Sequence, residues 1–178
     1  MPYSIEEHKH RYAAWASSRA SSVKGCRFSV RQGKMLIESA RLNSFLDKPD
    51  DLPSVDNIDE KHREWRHTII RSAEAMELIF TRGVAAKLIN MYFKTVFVCG
   101  GYATHERVEV LHPPIDAVLL ISLNSNNIGN RQDLWKKAIK AKWSKFTSDE
   151  YEEVIAGNRE LIGTESFWKI EQYWQGYQ

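Results

Sequence analysis

Three polar side chains, Lys87, Asn90 and Lys94, interrupt an otherwise apolar stretch between Val84 and Val98. Their i, i+3, i+7 spacing sets them in one line along a helix. The rest of the stretch is Val, Ala, Leu, Ile, Met, Tyr, Phe and Thr, so that helix is expected to be buried over most of its circumference. An ammonium in such a place needs an anion, water or a cleft. Burial beside other cations, here Arg82 and Lys94, lowers the pKa of Lys87, and a neutral amine is a nucleophile. The plainer alternative is that both lysines snorkel out of a core helix. Downstream, His112-Pro113-Pro114-Ile115-Asp116 leads into a second apolar stretch. Asp116 either favours the dipole of the helix it opens or pairs with Lys87 as electrostatic stabiliser or base.

Helices must position these groups. Ser4 with Glu7 reads as a capping box ahead of a helix to about Ser21, with Tyr12, Trp15 and Ala16 inward. A second helix is expected over about 30–42, and the proline-containing segment 43–57 as a loop. Asp56 or Asp59 can cap a third helix reaching Ile79, with Trp65, Ile69, Ala73 and Met76 at helical spacing. Phe80-Thr81-Arg82-Gly83 then turns the chain into the central helix. Residues 99–112 read as a glycine-started loop with an extended piece at 107–111. Pro113 and Pro114 suit the first turn of a helix to Leu123. Three more helices follow at about 131–143, 148–161 and 164–175, the second capped by Thr147 or Ser148. The fold class expected is all-α, a single globular domain of about eight helices.

With 178 residues, 43% of them hydrophobic, the chain can bury one substantial core. Cys26 and Cys99 make neither a disulfide framework nor a zinc pattern, and no metal or cofactor is expected. No run reaches the roughly 18 apolar residues of a membrane span, and the first residues do not read as a signal peptide. A soluble, cytoplasmic monomer is the expectation. Net charge is only +2, yet 47–60 holds six acidic residues against Lys48, and 131–145 holds six basic residues against Asp133. The basic run, with Trp135 and Trp143 interleaved, is either a solvated helix face over core tryptophans or a track for a phosphate backbone. His8, His10, His62 and His67 lack metal-ligand spacing and read as solvated. The turn at Gly83 presents free N–H groups at a helix start, a natural place for one phosphate.

Gly83-Val84-Ala85-Ala86-Lys87-Leu88-Ile89-Asn90 resembles the hairpin of helix-hairpin-helix DNA glycosylases such as endonuclease III, in which Gly-Val-Gly-x-Lys leads into the helix bearing a catalytic lysine. Ala85 stands where the second hairpin glycine falls. Pro114-Ile115-Asp116 before Ala117-Val118-Leu119-Leu120 resembles that superfamily's catalytic aspartate at the start of an apolar helix. The resemblance spans about residues 76–123. It implies Lys87 as the Schiff-base lysine and Asp116 as the essential carboxylate, acting on a nucleotide flipped out of duplex DNA. Under it, Arg82, Gly83, Val84, Ala85, Lys94, Lys136, Lys137 and Lys140 contact DNA. Tyr12, Trp15, Tyr92 and Trp168 are the candidate aromatics of the base pocket. The task implied is excision of a modified base, in repair or in defence against foreign DNA. The rival reading is a helical binding module that uses the basic run and the aromatic tail from Phe167 to Tyr177.

Overall fold

The computed structural model describes residues 3–177, whose regular elements are all helical, with no strand among them. Helix α1 spans Ile5–Ser21, and its cap Ser4 accepts the Glu7 N–H at 3.2 Å. The inward face is not the expected one. Tyr12 and Trp15 are 59% and 50% exposed, while Ala13, Ala14, Ser17, Ser18 and Ser21 are buried. Small side chains let α1 approach its neighbours closely, where bulky aromatics would hold the backbones apart. Two of these three buried hydroxyls are satisfied locally, Ser17 donating to the Ala13 carbonyl at 2.7 Å and Ser18 to that of Ala14 at 2.6 Å, while the Ser21 hydroxyl has no partner among the described residues.

Helix α2 (Val30–Ser39) carries a complete capping box from Ser29 and Gln32, and ends where Arg41 turns left-handed at φ 56°. Short 3₁₀ turns lead to α3 (Ile58–Glu74). Neither Asp56 nor Asp59 caps α3; Asn57 occupies the cap without a side-chain bond. It stops short of Ile79 because Glu77 adopts φ 58° and the Leu78 N–H closes on the Ala73 carbonyl at 2.9 Å. The central helix α4 (Arg82–Phe93) starts at Thr81, whose hydroxyl accepts the Val84 N–H at 3.1 Å. It then widens into a π-helical segment, Lys94–Tyr102, that occupies part of the expected loop. Where an extended piece was expected lies the short α5 (Glu106–Glu109).

Pro113 and Pro114 lie before the next helix, not in it. Asp116 is the cap of α6 (Ala117–Ser125), accepting the Leu119 N–H at 2.9 Å. Helices α7 (Gln132–Ala141) and α8 (Ser148–Ile162) follow, the latter with a full Thr147–Glu150 capping box. The last element is a 3₁₀ helix, Phe167–Tyr173, in place of the expected α-helix. No helix among the described residues is long and apolar enough to cross a membrane.

The apolar side chains form two clusters. One gathers Leu36, Ile37, Trp65, Ile69, Leu88, Tyr92, Phe93 and Phe97 from residues 13–111. The other gathers Leu119, Leu123, Trp135, Phe146, Val154, Phe167 and Ile170 from the second half, with Ala86 reaching it from α4. Helix α4 is the wall both clusters share, and that explains its nearly unbroken burial from Gly83 to Asn90.

Candidate functional site

Lys87 lies one turn into α4, on the side facing α6. Its Nζ meets Asp116 Oδ2 at 2.8 Å, with the lysine 5% and the aspartate 19% exposed. The cap position of Asp116 decides the geometry: Oδ1 is held by the Leu119 N–H, which leaves Oδ2 toward Lys87. The Trp174 indole N–H also donates to Oδ2, at 3.0 Å. Trp143 covers the pair from the turn between α7 and α8, its ring 5.4 Å from Nζ. Burial lowers the Lys87 ammonium below its ordinary pKa, Asp116 opposes the shift, and Lys94 adds to it. Burial pushes the Asp116 carboxyl up, but the Lys87 charge and the Leu119 N–H outweigh it, so Asp116 lies below the usual carboxylate range. The result is a partly buried ion pair with an ionised carboxylate.

Lys94 is not free beside it. Its Nζ pairs with Glu171 at 2.8 Å and lies 5.8 Å from the Trp174 ring. Burial raises the Glu171 carboxyl above its ordinary value. The C-terminal segment therefore closes over the stripe with a carboxylate and an indole. Sequence reading did not connect the tail's aromatics with Lys87, since a donor to Asp116 from 58 positions away leaves no local spacing signal.

Asn90, the middle member of the stripe, organises a second buried cluster. Its amide nitrogen donates to the Pro113 carbonyl at 2.9 Å and to the Tyr151 hydroxyl at 3.0 Å, and its oxygen faces His62 Nε2 at 2.7 Å. The Pro113 carbonyl can only accept, which fixes the amide orientation, so His62 carries its proton on Nε2. Tyr151 accepts from Asn90 and donates to His112 Nδ1 at 3.0 Å. His112 Nε2–H then donates to Asp59 at 2.8 Å, and Arg159 clamps that carboxylate through two nitrogens at 2.8 and 2.7 Å. The His62 and His112 rings lie with centroids 4.3 Å apart, tilted by 30°, and His62 stacks on Tyr151 at 5.4 Å. Burial drives His62 well below its ordinary pKa, and burial lowers His112 as well against the pull of Asp59. His10 and His62, expected on the surface, are both buried; His10 bonds Tyr92 at 2.8 Å. Their partners lie 82 and 28 positions away, so nothing near them in sequence announces burial.

Several expected contacts are not where the sequence put them. Gly83, Val84 and Ala85 are buried, so the start of α4 is not an open phosphate site. The chain around Trp143 fills it: a Cβ on Gly83 would lie 1.8 Å from the Trp143 carbonyl oxygen, and Thr81 donates to the Ser144 carbonyl at 2.8 Å. Arg82 is half-buried beside them. Lys136, Lys137 and Lys140 are exposed on α7, with Lys137 paired to Glu153 at 2.5 Å. The four candidate pocket aromatics do not gather round Lys87. Tyr12 and Trp15 face solvent, Tyr92 is fully buried against His10, and the Trp168 indole donates to the Ala103 carbonyl at 3.2 Å. The aromatics beside the pair are Trp143 and Trp174 instead.

No protein-family model, curated protein or solved structure matches this chain.

Proposed function

We propose that this chain is a DNA N-glycosylase, releasing a modified base from a flipped nucleotide. The observation that carries the reading is the 2.8 Å pair of a buried Lys87 with Asp116 at the cap of α6. The two residues that sequence resemblance selects, 29 positions apart, meet in one place. An ionised carboxylate in a low-dielectric setting is suited to stabilise the positive charge that grows at C1′ as the base departs. Lys87, once it has lost its proton to solvent, can form the Nζ–C1′ bond while the C1′–N bond to the base breaks, the leaving base taking a proton from water. Opening of the C1′–O4′ bond then yields a Schiff base. The exposed lysines of α7 run toward Trp143, which covers the pair, and give a basic approach surface for phosphates.

The test uses duplexes carrying a panel of modified bases. Abasic product is expected from at least one of them, lost in Asp116→Asn, together with a borohydride-trapped adduct lost in Lys87→Ala. Product without an adduct assigns the attack at C1′ to water and leaves Lys87 as the partner of Asp116. No abasic product from the panel by folded protein that still binds DNA overturns the proposal in favour of a helical binding module.

A further inference from the structure

Asp116 Oδ2 is the meeting point of two donors from different parts of the chain, Lys87 Nζ at 2.8 Å and the Trp174 indole nitrogen at 3.0 Å. The second donor answers a problem posed by the first. For Lys87 to act as an amine it must give up a proton, and the nearest acceptor is Oδ2 itself. A proton transferred there would make Asp116 a neutral acid and abolish the charge that favours a cation at C1′. An indole N–H only donates, so it bonds the carboxylate more strongly than the neutral acid and cannot accept the acid's O–H. Hydrogen bonds to an ionised acceptor are roughly twice as strong as neutral ones.

We propose that Trp174 is a positioning residue for Asp116, fixing the carboxylate through its indole N–H so that Asp116 remains an anion when Lys87 loses its proton. The indole is itself held in place. Lys94 lies 5.8 Å from its ring and is anchored by Glu171, three residues earlier in the same segment, at 2.8 Å. The charged groups facing Asp116 are thus Lys87 and Lys94 from α4 and its π-helical continuation, and Glu171 from the C-terminal segment. Helix α6 contributes no charged side chain between Ala117 and Ser125. Of the three donors on Asp116, the Leu119 amide comes with the helix start and Lys87 is the one that must change charge. Trp174 is therefore the donor that can be removed without touching either.

As a role in catalysis this rests on the glycosylase reading, whereas the control of Asp116's charge does not. The carboxyl carbon of Asp116, assigned with Asp116→Asn, is titrated by NMR in the full chain and in Trp174→Phe, which keeps a ring and removes the donor. The midpoint is expected to rise by about one pH unit, a tenfold gain in proton affinity. The acid limb of kcat/KM for base release should rise with it while the plateau holds. In the unaltered protein the Trp174 indole N–H resonance should move with the carboxyl's own midpoint, a readout that needs no variant to fold. An unmoved carboxyl midpoint in folded Trp174→Phe, an indole signal blind to Asp116, or a uniform loss of rate at every pH overturns the proposal. A wild-type protein that releases no base overturns the glycosylase reading alone, and the two titrations still decide the Trp174 contact.

Discussion

Replacing Asn90 with leucine is the most direct test of how the two halves of the molecule are joined. Leucine matches asparagine in branching and in its number of side-chain heavy atoms, so the change removes hydrogen bonds without leaving a cavity. Three bonds are lost, to Pro113, Tyr151 and His62. Tyr151 keeps His112 as a partner, but the Pro113 carbonyl and the His62 Nε2–H are left without their Asn90 partner in the buried interior. Each orphaned group costs about 1–3 kcal/mol, so the variant should lose about 2–6 kcal/mol, a large part of the roughly 5–15 kcal/mol that a domain has. The loss should appear in urea unfolding as a drop in midpoint of about 0.7–3 M at an unchanged slope, taking a slope of about 2–3 kcal/mol/M. A shift below about 0.3 M would show that these groups find other partners, and would refute the assignment of Asn90 as their organiser.

Acid should destabilise the protein before its carboxylates titrate, because His62 and His112 bind protons more weakly folded than unfolded. Their stabilisation is complete above about pH 6.5 and is lost as pH falls through that value, at up to about 2.7 kcal/mol per pH unit for two sites; Asp59, held low by His112 and Arg159, adds a further loss below about pH 4. Urea midpoints at pH 7.5, 6 and 5 measure it, and a flat profile over that span contradicts the burial of the two imidazoles. Gly83→Ala should destabilise by about 1–3 kcal/mol, since its Cβ would meet the Trp143 backbone oxygen at 1.8 Å. A thermal midpoint equal to wild type would mean the chain at Trp143 does not press on the start of α4.

How much of this is readable from the residues depends on how far apart the interacting groups lie. Helix starts were legible where a hydroxyl cap has a glutamate three residues on, as at Ser4 and Glu7 or Thr147 and Glu150, while the caps at Ser29 and Asp116 were missed. Lys87 and Asp116 were legible as a pair through the resemblance, Lys87 lying one turn into a helix and Asp116 at a helix start, each with an apolar run behind it. The face of α1 was not, because hydrophobicity alone turns Tyr12 and Trp15 inward, whereas the approach of α1 to its neighbours selects alanine and serine. The burial of His62 and the reach of Trp174 to Asp116 depend on partners 28 and 58 positions away, and no local pattern encodes either. Continuation of α4 as a π-helix to Tyr102 was hidden by Gly100 and Gly101, which read as a loop signal; Gly101, at φ 99°, marks the end of the segment instead.

The ordered run of donors from Asn90 through Tyr151 and His112 to Asp59 has a consequence for how this sequence can drift. Each member fixes the proton direction of the next, so exchanging any one of positions 59, 90, 112 and 151 reverses or strands a bond at its neighbour. Relatives of this chain should therefore keep the four residues together or replace them together by apolar ones. Positions 12 and 15, which face solvent, are free to vary independently.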